Sequence, residues 1–383
     1  MTRDEFFARL PEFPSIRAAA RALGLHQGTA LNWIKRARDK GEKVPQPAKL
    51  EIPARPEAPS IITKTTTLYN AEGDTILQWV HDKSQAEKER EQQWRAFAEE
   101  LSQGVTRIDP VPAPEARCAD LLAVYPVGDH HMGMLSWHRE TGDSYDLRIG
   151  ERLLMGAFSH LTYNARAADE ALVVFLGDFM HYDSFETVTP TNRNMLDSDS
   201  RFPKVAKAAV TLMRRAVNLA LLRHQRVNVI VSAGNHDPSS SVFMAMCLNI
   251  AYEKEPRVAV DTSPIACHYF LFGEVLLGVH HGHSIKMQNL PLVMAADRPA
   301  LWGRAKHRHW LTGHIHQAKT QPAISAQDYA GCTVESFRIL PPPDAWAVSK
   351  GYRPHRDMKA IIYHRKWGEV ARHTVNSVML EEG

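Results

Sequence analysis

Five short apolar runs in this chain each stop at residues able to bind a metal ion, and that repeated adjacency constrains the fold more than any other feature. Leu121–Val127 leads into Asp129-His130-His131-Met132-Gly133, and Leu172–Leu176 into Gly177-Asp178. Val227–Val231 leads into Gly234-Asn235-His236-Asp237, Val275–Val279 into His281-Gly282-His283, and a further short run into Gly313-His314-Ile315-His316. Such runs read as buried strands, and Pro203–Arg223 between them as a helix, so the expected class is α/β. In open α/β sheets ligands bind beyond the carboxyl ends of strands, which lets residues distant in sequence converge. The glycines beside them permit tight turns and close backbone approach.

Composition bounds the rest. A chain of 383 residues exceeds what one core usually organises, so more than one domain is expected. With 44% hydrophobic and 23% charged residues it is a globular chain and not a disordered one. A formal charge of +3 carries no nucleic-acid signature by itself. Cys118, Cys247, Cys267 and Cys332 lie far apart without CxxC spacing, which argues against a disulfide framework or a cysteine-ligated zinc and makes a reducing compartment the simpler reading. The start Met-Thr-Arg-Asp-Glu-Phe-Phe lacks the basic and apolar regions of a signal peptide, and no apolar run approaches ~18 residues. A cytoplasmic protein without a membrane partner is expected.

Residues 1–44 read as a helix-turn-helix-like head. Ser15 caps a helix running through Arg21, Gly24 breaks it, and a second helix spans about Thr29 to Arg38. Ala20, Gly24, Ala30 and Trp33 match that motif's positions for close packing, turn and core. Lysine and arginine outnumber acids nine to five here, with Lys35, Arg36, Arg38 and Lys40 gathered at the end. Prolines from Pro45 to Pro59 make 45–60 an extended linker. Residues 61–117 read as a hairpin around Asn70–Asp74, a charged helix Ser84–Leu101 with Trp94, Phe97 and Leu101 on one stripe, and a second linker at Asp109–Pro114. Residues 118–383 form the α/β domain.

The ordered series D-x-H, G-D, G-N-H-D, H and G-H-x-H, spanning Asp129 to His316, resembles the signature of the calcineurin-like metallophosphoesterases. That resemblance implies an αββα sandwich and two divalent metal ions. Asp129, His131, Asp178 and His316 would hold one ion, and Asp178, Asn235, His281 and His314 the other, with Asp178 as the bridge. Carboxylate and amide oxygens with imidazole nitrogens suit Mn²⁺, the ion expected, or Zn²⁺, Fe, Ni²⁺ or Mg²⁺, and no thiolate biases the set toward soft ions. A bridging hydroxide would attack phosphorus in line. His236 occupies the family position that contacts phosphate and protonates the leaving oxygen, with Asp237 available to orient its ring. For His130, His280 and His283, a supporting role beside the ligands and plain exposure stay equally open.

The series does not choose a phosphoester. Gly177-Asp178-Phe179-Met180-His181 is similar to a stretch of the SbcD-type DNA repair exonucleases, which would put His181 near the metals, touching a nucleotide without being a ligand. With the head, this favours a DNA phosphodiesterase with DNA as partner. Those nucleases carry their ATPase-docking segment after the last metal motif. Fewer than about seventy residues follow His316 here, which argues against an ATPase partner. The chain is more similar to stand-alone phosphoesterases of phage and prophage genomes. The alternatives are a phosphomonoesterase or small-diester hydrolase with a protein-docking head, and an inactive DNA-binding regulator.

Overall fold

Alternation along the buried strands sets the layering. In the computed structural model, strand β3 (Leu121–Val127) turns Leu122 and Val124 toward one core and Leu121, Ala123, Tyr125 and Val127 toward another. Strand β4 (Glu170–Phe175) does the same, with Leu172 and Val174 on one side and Ala171, Val173 and Phe175 on the other. A strand buried on both faces reads as a continuous apolar run, which is why these segments stood out. The structure describes residues 1–13, 15–47, 62–69, 75–82, 89, 92–96, 99, 105–165, 168–314 and 326–381.

The chain divides into two compact units, Met1–Ala86 and Glu87–Gly383. In the first, helices Arg3–Arg9, Ile16–Ala22 and Gln27–Asp39 enclose Phe6, Leu10, Ala19, Ala20, Ala30 and Ile34. Ser15 caps the second helix by accepting the Ala18 N–H at 3.1 Å, and Gly24 takes a positive φ of 67° in the turn that follows. The opening helix, missed in the sequence reading, is set by a capping box between Thr2 and Glu5. Strands β1 (Ile62–Tyr69) and β2 (Thr75–Asp82) pair antiparallel as the expected hairpin. Its Asn70–Asp74 turn and the linker from Ala48 to Ser60 lie outside the described residues.

In the second unit, β3, β4, β5 (Arg226–Val231) and β6 (Val258–Val260) run parallel. The strands β7 (His268–Phe272), β8 (Val275–His280), β9 (His307–Thr312), β10 (Ala326–Tyr329) and β11 (Cys332–Ser336) form a separate sheet in the order β10-β11-β9-β8-β7. The strands β12 (Asp357–His364) and β13 (Gly368–Asn376) return to the first sheet, giving β13-β12-β3-β4-β5-β6. The two sheets face each other across Leu122, Val124, Leu172, Val174, Ile230, Leu277, Val279, Leu311 and Ile361. Helices Leu147–Asn164, Phe202–Leu221 and Pro238–Ala251 cover the outer face of the first sheet. Leu290–Asp297 and Pro299–Arg304 cover the second through Leu276, Met294, Trp310 and Val334. The layers are helix, sheet, sheet, helix, the αββα order.

Two expected boundaries shift. The unit boundary falls between Ala86 and Glu87, inside the 61–117 segment expected to stand together. Trp94, on the charged helix, belongs to the second unit because its ring packs edge-on against Phe185 at 5.2 Å and Phe202 at 5.4 Å. Phe97 and Leu101 lie outside the described residues. Asp109–Pro114 is no free spacer: Ile108 donates to Ala251, Val111 to Glu255, and the Gln225 amide to the Pro114 carbonyl. No helix among the described residues is long and apolar enough to cross a membrane.

The inter-sheet core contributes to stability through apolar side chains withdrawn from water. Leu277→Ala, at a fully buried position, is expected to cost ~2–5 kcal/mol. Leu292→Ala, at a 71% exposed position, should stay within ~0.5 kcal/mol. Urea midpoints of the two variants check the difference.

Candidate metal centre

The motifs meet because their strands are neighbours. β3, β4 and β5 are adjacent and parallel in one sheet, β8 and β9 in the other, and each expected ligand sits just past the carboxyl end of its strand. The loops after β3 and β4 are then zipped together: His131 N–H donates to Asp178 at 3.0 Å, Met132 N–H to Phe179 at 2.8 Å and His181 N–H to Met132 at 3.0 Å. Among the described residues four non-glycines take positive φ, and three are expected ligands: His131 at 47°, Asp178 at 50° and His314 at 60°. This left-handed backbone is unfavourable for side chains other than glycine, asparagine and aspartate, and persists where surrounding contacts enforce it.

Glycines let the loops close. A Cβ on Gly234 would lie 2.0 Å from Asp178 Oδ1, one on Gly313 2.4 Å from Asp129 Oδ1, and one on Gly177 2.7 Å from His281 Nδ1. No side chain fits at these three positions.

Asp129 and Asp178 are buried. The His314 N–H donates to both Asp129 oxygens at 3.1 Å, and the His236 N–H to Asp178 Oδ1 at 2.7 Å. His281 Nδ1 donates to the Leu176 carbonyl at 2.8 Å, which fixes the ring and leaves Nε2 facing inward. That Nε2 lies 3.1 Å from Asn235 Oδ1 and 3.1 Å from Asp178 Oδ2. Three acceptor atoms so close need a cation or a proton among them. Burial opposes a proton on His281, yet Asp178 and then Asp129 push its pKa up to about 10. Burial would likewise raise Asp178, but His281 holds it well below the usual carboxylate range.

These groups fit a pair of divalent cations. Ligand atoms of Asp129, His131 and Asp178 lie within 4.8 Å of one another, as do those of Asp178, His281 and His314. Asp178 belongs to both sets, and Asn235 joins the second through its contact with His281. His316 lies outside the described residues. Oxygen and imidazole donors without thiolate suit hard or borderline ions.

One expected role changes. Asp237 does not orient the His236 ring: its buried carboxylate accepts the N–H groups of Asp178 at 3.0 Å, Met180 at 3.1 Å and Gly234 at 3.0 Å. Burial, then Asp178, push its pKa up to about 7. The His236 ring is held instead by the His181 carbonyl, which accepts from Nδ1 at 2.7 Å. His181 is 2% exposed, stacked on His236 with ring centroids 5.4 Å apart, and its Nδ1 is 3.3 Å from His131 Nδ1. The enclosed ring packs against His131 and His236, and ligand atoms of these three histidines lie within 4.8 Å of one another. Burial first, and the neighbouring His131 and His236 next, lower its pKa well below the ordinary value.

The three open histidines also separate. His130 turns away from the ligands and pairs through Nε2 with the Gly150 carbonyl at 3.0 Å, its pKa lowered to about 4 by burial. His280 accepts the Gly282 N–H and contacts Ser284. His283 is exposed, with its ring 5.3 Å from that of His281. Sequence reading missed Asp183, whose oxygens accept the Ser239 and Ser240 N–H groups at 2.8 and 2.7 Å at the start of helix Pro238–Ala251. Pro238 at that helix start was a local signal; the partner 56 residues away was not.

Because the loops close only around glycine, Gly234→Ala should leave the fold cooperative while displacing Asp178. We expect the purified variant to lose most of its bound metal by elemental analysis, with a urea transition that remains single. Full metal content would show that the loop relaxes around a methyl group.

No protein-family model matches the sequence, and no curated protein matches it. Among solved structures, a conserved uncharacterized protein from Streptococcus pneumoniae described as a predicted phosphoesterase is 10% identical, covering 67% of this chain and 98% of that one, with a TM-score of 0.26. A Vps29 mutant from Entamoeba histolytica is 12% identical over 66% of this chain and 98% of that one, TM-score 0.24. A dimetal phosphatase from Danio rerio is 9% identical over 67% and 99%, TM-score 0.34. At these identities and scores the likeness adds nothing to the geometry above. Two facing sheets with helices outside give the second unit an αββα sandwich, with Asp129, His131, Asp178, Asn235, His281 and His314 gathered at the strand-end edge of the two sheets.

Proposed function

We propose that the protein is a two-metal phosphodiesterase acting on DNA. The observation that carries the hydrolytic reading is Asp178, a buried carboxylate shared by two ligand groups on opposite sheets. When bound, a pair of divalent cations neutralises charge on the phosphoryl oxygens and acidifies a shared water. Asp129, His131 and Asp178 would hold one ion, with His316 added by resemblance, and Asp178, Asn235, His281 and His314 the other. Manganese suits this donor set.

In this reading His236 protonates the leaving oxygen. Its Nδ1 proton is committed to the His181 carbonyl, so Nε2 is the atom that exchanges a proton, and the half-buried ring keeps access to the site. His236→Ala should retain metal and lose roughly 10²–10⁴-fold in turnover on an alkyl phosphodiester. The loss should shrink for a nitrophenyl ester, whose leaving group needs no proton. Equal losses on both esters would reassign His236 to holding the phosphate.

DNA as substrate is supported by how charge is divided in the head. Arg3 pairs with Asp4 and Glu42, and Arg9 with Glu12, so the acids are engaged around the opening helix. Arg17, Arg21, Lys35, Arg36 and Arg38 are exposed on the two following helices and form no ion pair among the described residues. Cations on a helix pair joined by a tight turn suit phosphate contacts. Replacing Lys35, Arg36 and Arg38 by alanine should weaken duplex binding and flatten its dependence on salt, with aryl-phosphate hydrolysis unchanged. Unaltered affinity across a salt series would favour a protein-docking head.

A further inference from the structure

Both ribbons that leave the metal-bearing edge carry an exposed tryptophan. The first continues from His131, whose carbonyl accepts the Met134 N–H at 2.9 Å, to Trp137 and helix His138–Thr141. The second leaves β11, where Ser336 Oγ donates to the Gly313 carbonyl at 3.0 Å and the Phe337 N–H to Thr312 at 2.9 Å, and reaches Trp346 on helix Ala345–Ser349. They are stitched together by Ser136 Oγ on the Pro343 carbonyl at 3.4 Å and by Arg356 on Asp143 at 3.0 Å, and their two short helices lie against each other.

Trp137 is 55% and Trp346 60% exposed, whereas Trp310 is fully buried. Large aromatic rings left in water on ribbons that lead away from the candidate ligands invite a flat ligand. The Arg139 guanidinium sits 5.7 Å from the Trp137 ring centroid, and Tyr352 lies 6.0 Å from Trp346. Of the acids in these ribbons, Asp143 is held by Arg356, while Asp146 and Asp344 cap helices through the Ile149 and Ala347 N–H groups. Glu140 remains against Arg139, Lys350 and Arg353, which form no ion pair among the described residues. The solvent face is therefore aromatic and cationic, which matches a chain of bases on a polyanionic backbone better than an apolar protein surface.

We infer that Trp137 and Trp346 form a stacking platform for the bases of a single-stranded polynucleotide whose phosphodiester enters the metal centre, with Arg139, Lys350 and Arg353 meeting its backbone. This rests on the proposed reading of the protein as a DNA phosphodiesterase. Every base offers a π-face, so the platform accepts any sequence.

The test uses the full-length, metal-loaded protein with a labelled oligothymidine strand, comparing wild type with Trp137→Ala, Trp346→Ala, the double variant and Trp137→Phe. Aryl-phosphate hydrolysis reports the integrity of the metal centre. Each alanine should weaken single-strand affinity by roughly 5- to 100-fold and leave aryl-phosphate hydrolysis unchanged, and phenylalanine should restore most of the loss. Strand affinity and cleavage equal to wild type in the double variant would overturn the platform and leave the nuclease reading standing. If the wild type neither binds nor cleaves the strand but hydrolyses the aryl phosphate, both fall, and the tryptophans become a contact for a protein partner.

Discussion

The centre depends on one buried carboxylate that is not itself a ligand. Asp237 accepts three backbone N–H groups, two from the loop after β4 and one from the loop after β5. Removing this acceptor of several backbone donors would leave those buried N–H groups unpaired. It holds Asp178 in its left-handed conformation and brings Gly234 against the Asp178 oxygen. The bridge between the two ligand groups is thus placed by a neighbour in space, 59 residues away in the chain.

Around that tie the molecule divides its labour between layers. The six-stranded sheet delivers Asp129, His131, Asp178 and Asn235, while the five-stranded sheet delivers His281 and His314. The apolar core between the sheets fixes their separation, so the ligand sets meet only if both layers pack correctly. The His281 Nδ1 bond to Leu176 crosses this divide and locks a ring of one sheet to the backbone of the other. A chemical centre built across two layers reports on the packing of both.

The strands that carry ligands were legible in the sequence because burial on both faces makes each a continuous apolar run that ends at a polar residue. The candidate ligands stood out for the same reason, since each follows an apolar run within a few residues. Asp237 was read as steering His236 because the two are adjacent in sequence, yet its partners are backbone groups that carry no sequence signal. The His181 ring was expected near the metals from its place three residues after Asp178, and the short bridge between Met132 and Met180 that folds its loop inward carried no sequence signal. The run through Asp109–Pro114 looked like a spacer by its prolines, and only distant acceptors such as Ala251 and Glu255 tie it down.

The left-handed backbone at His131, Asp178 and His314 also limits how such a centre can change. At these places the chain tolerates asparagine or aspartate far better than branched residues, and both are themselves oxygen donors. At His131 and His314 an asparagine or aspartate would spare the backbone but lack the reach of an imidazole, whereas an aliphatic replacement strains the backbone as well as removing a donor. The backbone at these positions therefore favours short oxygen donors as replacements, and each such exchange for a histidine would trade an imidazole nitrogen for a harder ligand.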